Sequence, residues 1–143
     1  MVEPSIIESY VRPGQLKLVF RDVLNHGERS QRASEAAACA GRQGQFWPMH
    51  NLLFENQGAT WSTSGSGLID LMLDFAAQLE GLDQAAFAQC LNDRTTLAAL
   101  QAADAEQRTR GITVQPIFEI GERRIIGSQA FETFAAAIDA VAN

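Results

Sequence analysis

Two cysteines, two histidines and a proline within a Gln-Pro-Ile-Phe run carry most of the chemistry open to this chain of 143 residues. Thiol–disulfide exchange calls for a thiolate of lowered pKa at a helix N-terminus, with a second thiol one turn further on. Cys39 and Cys90 do not meet that requirement, because they lie far apart and the sequence contains no Cys-x-x-Cys. Each stands in an apolar helical context, Ala-Ala-Cys-Ala and Ala-Gln-Cys-Leu, where free cysteine commonly serves as a small buried hydrophobe. No catalytic residue is expected. His26 falls in a loop with no partner motif, and His50 follows Trp47 by three residues. Neither suggests a metal ligand, so no metal is expected. His50 reads as a packed or capping histidine, Trp47 and Trp61 as core or lid aromatics, and Arg123-Arg124 as a solvated face. The sequence holds no phosphate-binding glycine loop, no G-x-S-x-G elbow and no H-E-x-x-H, so no cofactor is expected.

The elements that must position these residues follow from periodicity and punctuation. Pro4 suits the first turn of a helix, in which Ile6, Ile7, Tyr10 and Val11 recur at helical spacing until Pro13-Gly14. Leu16, Val19 and Phe20 predict a short strand over about 15–22. Helices are expected over about 29–42 and 46–55. The glycine- and serine-rich stretch 58–67 reads as a loop, followed by helical spacing over 68–79. Asp83 is a good N-cap for a helix reaching Leu91. A further helix begins at Thr95 or Thr96 and ends near Arg110, with Gly111 as its C′ residue. The period then changes: Ile117, Phe118 and Ile120, a turn at Gly121-Glu122, and Ile125-Ile126 predict a hairpin. Residues 131–141 form a last amphipathic helix.

Composition sets outer bounds. With 46% hydrophobic and 20% charged residues the chain is a folded, globular one, and its length suggests a single domain. A net charge of −6 speaks against a nucleic-acid partner, which favours a basic stripe. No apolar run approaches the ~18 residues of a membrane-spanning helix. Met1-Val2-Glu3-Pro4 has neither the basic start nor the apolar run of a signal peptide. If Met1 is the natural start, the expected compartment is the cytoplasm.

Stretches 3–23, 33–57, 87–93 and 111–139 carry a resemblance that covers nearly the whole chain. Its most specific parts are Cys39-Ala40-Gly41 with Gly44-Gln45-Phe46-Trp47 and His50, and Gln115-Pro116-Ile117-Phe118 with the hairpin and Gly127 behind it. These resemble the DsbA-like thiol–disulfide oxidoreductases of the thioredoxin superfamily. The resemblance implies an α/β, thioredoxin-like fold over 1–143 with an inserted helical subdomain at about 29–110. It places Met1 inside the helix that follows the redox motif. The first β-strand and the start of that helix are then absent, and the chain is expected to be an inactive, N-terminally truncated form. A non-catalytic peptide- or protein-binding module is the alternative.

The resemblance also assigns residues. Gln115 and Pro116 fall where the family binds substrate, with Pro116 at the cis-proline and Gln115 where threonine or valine is more usual. From the residues alone Pro116 could equally open an edge strand. Cys39 and Cys90 fall where some relatives carry a cysteine pair. A structural disulfide there stands beside the reading as buried hydrophobes, and would add about 4 kcal/mol in a chain-entropy estimate. The implied partner is a protein or peptide bearing thiols or disulfides, and the implied compartment is periplasmic or extracytoplasmic. Loss of a central strand would leave two edges unpaired inside the sheet, which invites pairing between chains, so a homo-oligomer is expected.

Overall fold

The computed structural model describes residues 2–142. The chain divides into two compact units: the first joins residues up to Arg21 with those from Gln107 on, and the second is Asp22–Glu106. The helices are α1 (Glu3–Ile6), α2 (Glu28–Gly41), α3 (Phe46–Glu55), α4 (Gln57–Ser62), α5 (Ser66–Ala76), α6 (Gln84–Asn92), α7 (Leu97–Thr109) and α8 (Phe131–Ala142). A π-helical turn, Ile7–Val11, extends α1, and strands β1 (Ile117–Ile120) and β2 (Arg123–Ile126) precede α8.

In the second unit α2 is the central element, packed against α3, α5 and α6. Ala36, Ala37 and Ala40 are buried on it, and such small side chains let helix axes approach closely. Met49, Met72, Phe75, Leu79, Phe87 and Leu91 fill the space around them. Asp83 caps α6 by accepting the Ala86 amide at 3.0 Å. Residue 83 is also gripped by a side chain that imitates backbone. The Gln43 carboxamide donates to the Asp83 carbonyl at 3.1 Å and accepts the Asp83 amide at 2.8 Å.

One face of α2 holds a buried charge. Glu35 is fully buried and accepts from Arg94 Nε at 3.0 Å and Nη2 at 2.9 Å, with Arg32 Nη1 at 3.4 Å. Arg32 also donates to the Leu91 carbonyl at 3.2 Å. Arg94 adopts φ +52°, a left-handed conformation that costs an L-residue about 1–2 kcal/mol. Its two-nitrogen contact with Glu35, together with a bond to Gln31 at 3.2 Å, offsets that cost.

In the first unit α8 lies on the hairpin. Phe134, Ala137 and Ile138 are buried with Ile125 and Ile6, and the Phe118 and Phe134 rings meet edge to face at 4.7 Å. The strands pair antiparallel with Phe118 opposite Ile125 and Glu119 opposite Arg124. Gly121, first of the two loop residues, has φ +57°, as a two-residue hairpin of the II′ type requires at that position.

Two expectations need correction. The segment 15–22 is not a strand: residues 16–24 carry no regular secondary structure. Leu16 packs on the core, whereas Val19 and Phe20 are exposed. β-branched and aromatic composition supplies strand propensity, but a strand exists only where a neighbour completes its ladder, and the sheet among the described residues has two strands. The loop expected over 58–67 contains helix α4. Its weak helix formers are offset by C-terminal capping: Ser62 and Thr63 hydroxyls donate to the Ala59 carbonyl, and Arg29 Nε donates to the Thr63 carbonyl at 3.0 Å.

Arg94→Gly relieves the left-handed strain but leaves the buried Glu35 with Arg32 alone. Removing a partner of a buried ion pair costs about 3–5 kcal/mol, so urea unfolding is expected to show a net loss of roughly 1–4 kcal/mol once the recovered strain is subtracted.

Candidate functional site

The loop at 113–116 is held at both ends. On its N-terminal side α7 closes at Gly111, φ +77°, whose amide donates to the Arg108 carbonyl, and the Ile112 amide donates to the Gln107 carbonyl. Ile112 is buried and fixes the departure of the chain. Arg124 Nη2 donates to the Arg110 carbonyl at 2.9 Å. On the other side the Gly127 amide donates to the Pro116 carbonyl at 2.9 Å, extending the hairpin by one bond. Between these anchors Val114, Gln115 and Pro116 are exposed, and the Gln115–Pro116 peptide bond is cis.

Beside the loop, Glu119 bridges Arg110 and Arg124. Burial opposes its ionisation, but hydrogen bonds from Arg110 and Arg124 hold its carboxyl below the ordinary value. Elsewhere in the first unit, Tyr10, Gln15, Ile138, Asp139 and Ala142 line a shallow cavity of about 420 Å³. The Tyr10 hydroxyl donates to Asp139 at 3.2 Å across it. Burial and the Asp139 charge push the Tyr10 pKa up.

The cysteines belong to the second unit. Cys39 on α2 and Cys90 on α6 are bonded, with Cα atoms 5.9 Å apart, and no free cysteine is present among the described residues. The Cys90 sulfur also accepts from Thr95 Oγ1 at 3.2 Å and from Arg42 Nη1 at 3.7 Å. Arg42 in turn donates to Thr95 Oγ1 at 2.7 Å and to its carbonyl at 3.2 Å. Nothing in the local sequence around Arg42 or Thr95 marks this pair, since they meet only when α2 and the end of α6 pack.

His50 is buried on α3, Nδ1 3.3 Å from Asn51 Oδ1, among the rings of Phe46, Trp47 and Phe54. Trp47 and Trp61, expected as core or lid aromatics, are 37% and 46% exposed. His26 has a neighbour that its sequence context did not announce, the Trp61 ring at 4.7 Å. Among the described residues no group of His, Cys, Asp and Glu is arranged to hold a metal ion.

Asp22 opens the second unit. Burial raises its pKa, and the Ser34 hydrogen bond and the His50 charge only partly offset this. With the folded pKa above the unfolded one, the native state binds the proton more tightly. Stability therefore falls as pH rises from the unfolded carboxylate value near 3.9 through the folded value, and is level above it. Asp22→Asn is expected to raise the Tm at pH 7. The gain should shrink towards zero in acid below about pH 4, and thermal melts across that range will show it.

One comparison with known proteins shows the family, and another finds relatives that this chain matches in part. A family model described as thioredoxin matches residues 1–140. The chain is 32% identical over 138 residues to the Na(+)/H(+) antiporter NhaA 1 of Salinispora arenicola (strain CNS-205), covering 95% of this chain and 20% of the relative. It is 31% identical over 127 residues to the Na(+)/H(+) antiporter NhaA of Herminiimonas arsenicoxydans, covering 87% of this chain and 19% of the relative. A third relative, the Na(+)/H(+) antiporter NhaA 3 of Salinispora tropica, is 30% identical over 139 residues, again 95% of this chain and 20% of the relative. The chain thus spans about a fifth of the length of these curated relatives. No helix among the described residues is long and apolar enough to cross a membrane. This chain belongs to the thioredoxin family, within the superfamily of thiol–disulfide oxidoreductases.

Proposed function

We propose that the chain is one DsbA-like domain, the second unit being its helical insertion, and that it holds extended protein or peptide segments at Gln115–Pro116. The observation that carries this reading is the exposed loop at 114–116, anchored by Ile112 and by the Pro116–Gly127 bond, beside a hairpin whose edge an extended segment can pair with. The sequence contains no Cys-x-x-Cys, so the loop has no such dithiol of its own to pass electrons to a bound segment. Binding is therefore the activity assigned to this chain at that loop. The Cys39–Cys90 bond supports an extracytoplasmic setting, since disulfides persist in oxidising compartments. Each strand of the hairpin pairs on one side only among the described residues, which supports association of copies through those edges.

A second reading concerns where the domain works. Three relatives named as Na(+)/H(+) antiporters align with nearly all of this chain over only about a fifth of their own length. This favours a thioredoxin-family module that acts together with a cation–proton antiporter.

Amide chemical shifts read the first proposal. Titration with an unstructured cysteine-containing peptide is expected to move the resonances of residues 113–118, and Pro116→Ala to weaken the peptide at least tenfold. Shifts confined to other residues, or unchanged affinity in the variant, would sink it. Association has its own check: sedimentation at micromolar concentration is expected to give a species heavier than the 15.6 kDa chain, and a monomer would defeat it.

A further inference from the structure

We propose that Cys39–Cys90 is a redox-active pair rather than an inert tie, with Cys90 the reactive sulfur and Arg42 and Thr95 the groups that stabilise it as a thiolate. The two bonded residues differ in their surroundings. Cys39 is 1% exposed within the alanine-rich face of α2, while Cys90 is 8% exposed under the exposed side chains of Arg42 and Thr95. Both of those side chains donate to the Cys90 sulfur.

A disulfide sulfur is a weak acceptor. A thiolate is a strong one, and a hydrogen bond from a guanidinium to it is charge-assisted. The donors around Cys90 thus favour the reduced state more than the oxidised state, which makes the bond easier to open. One effect opposes them. Cys90 lies in the last turn of α6, where the helix carbonyls disfavour negative charge. The hydrogen bond from a charged group is the larger of the two effects, so the Arg42 contact decides the sign.

The exchange then follows with atoms and electrons balanced. In the reduced protein the Cys90 thiolate attacks one sulfur of an external disulfide, R–S–S–R′. A Cys90–S–S–R bond forms and R′–S⁻ leaves. The Cys39 thiol attacks the Cys90 sulfur, the R–S⁻ group leaves, and the proton of Cys39 passes through solvent to one of the released thiolates. Two electrons move from the cysteine pair to the external disulfide, which becomes two thiols. The reverse, with a small monothiol attacking the Cys90 sulfur, reduces the pair.

Equilibration in buffers of reduced and oxidised glutathione, trapped by alkylation and read by mass, tests this. The bond in the wild-type chain is expected to open within the range those buffers cover. Arg42→Leu should need about tenfold more reducing power, as [GSH]²/[GSSG], to reach half-reduction, and Arg42→Lys should recover most of the difference. In a Cys39→Ala background, the rate of Cys90 alkylation is expected to reach half-maximum below the ordinary thiol value of about 8.5. Arg42→Leu should move that midpoint up. A bond that stays closed in the most reducing glutathione buffer overturns the proposal, as does a half-reduction point that Arg42→Leu leaves in place. If Cys39→Ala does not fold, the glutathione titrations of wild type and the exposed Arg42 variants decide alone.

Discussion

Helix α2 grips the end of α6 and the turn after it through one stripe of side chains, and the second unit depends on that grip. Glu35, Cys39 and Arg42 stand at i, i+4 and i+7 of one helix and so share a face. Glu35 holds Arg94, Cys39 is bonded to Cys90, and Arg42 serves Thr95. An ion pair, a covalent bond and hydrogen bonds from a guanidinium thus act on one short segment from three successive turns. Buried ion pairs contribute little net stability but are demanding about geometry. The Glu35–Arg94 contact joins α2 to the turn after α6 through two guanidinium nitrogens.

The first unit answers to a different constraint, the need of every strand for a neighbour. Its hairpin is self-sufficient because β1 and β2 complete each other's ladder on one side, and α8 covers one face through Phe118 and Phe134. Residues 16–21 of this unit carry no regular secondary structure, although Leu16 keeps its place on the core. The cis-proline loop owes its position to the same hairpin, through the Pro116–Gly127 bond.

What the sequence disclosed divides along these lines. Local signals were legible: Asp83 caps α6, Gly111 ends α7, and Gly121 turns the hairpin, because each depends on a few adjacent residues. Features that require two distant segments were not, apart from the Cys39–Cys90 pair that the family resemblance offered. A strand over 15–22 is a statement about pairing, which composition cannot supply. Glu35 looks like any solvated helix residue until Arg94, far along the chain, closes over it. The same holds for Arg42 and Thr95, whose contact with Cys90 is created by packing. Gln115 and Pro116 were singled out by a family pattern, and what the fold adds is the pair of anchors that hold the loop in place.

Gln43 shows how a rim position can carry a demand of another kind. Its carboxamide meets the backbone of Asp83 with both a donor and an acceptor, so the side chain substitutes for one residue of a neighbouring strand. A glutamate there keeps the shape but has no donor, and an asparagine keeps the chemistry but not the reach. Slow deamidation, which turns this amide into a carboxylate, would place an acceptor against the Asp83 carbonyl and loosen the entry to α6. The entry to α6 is thereby tied to one side chain beyond the end of α2.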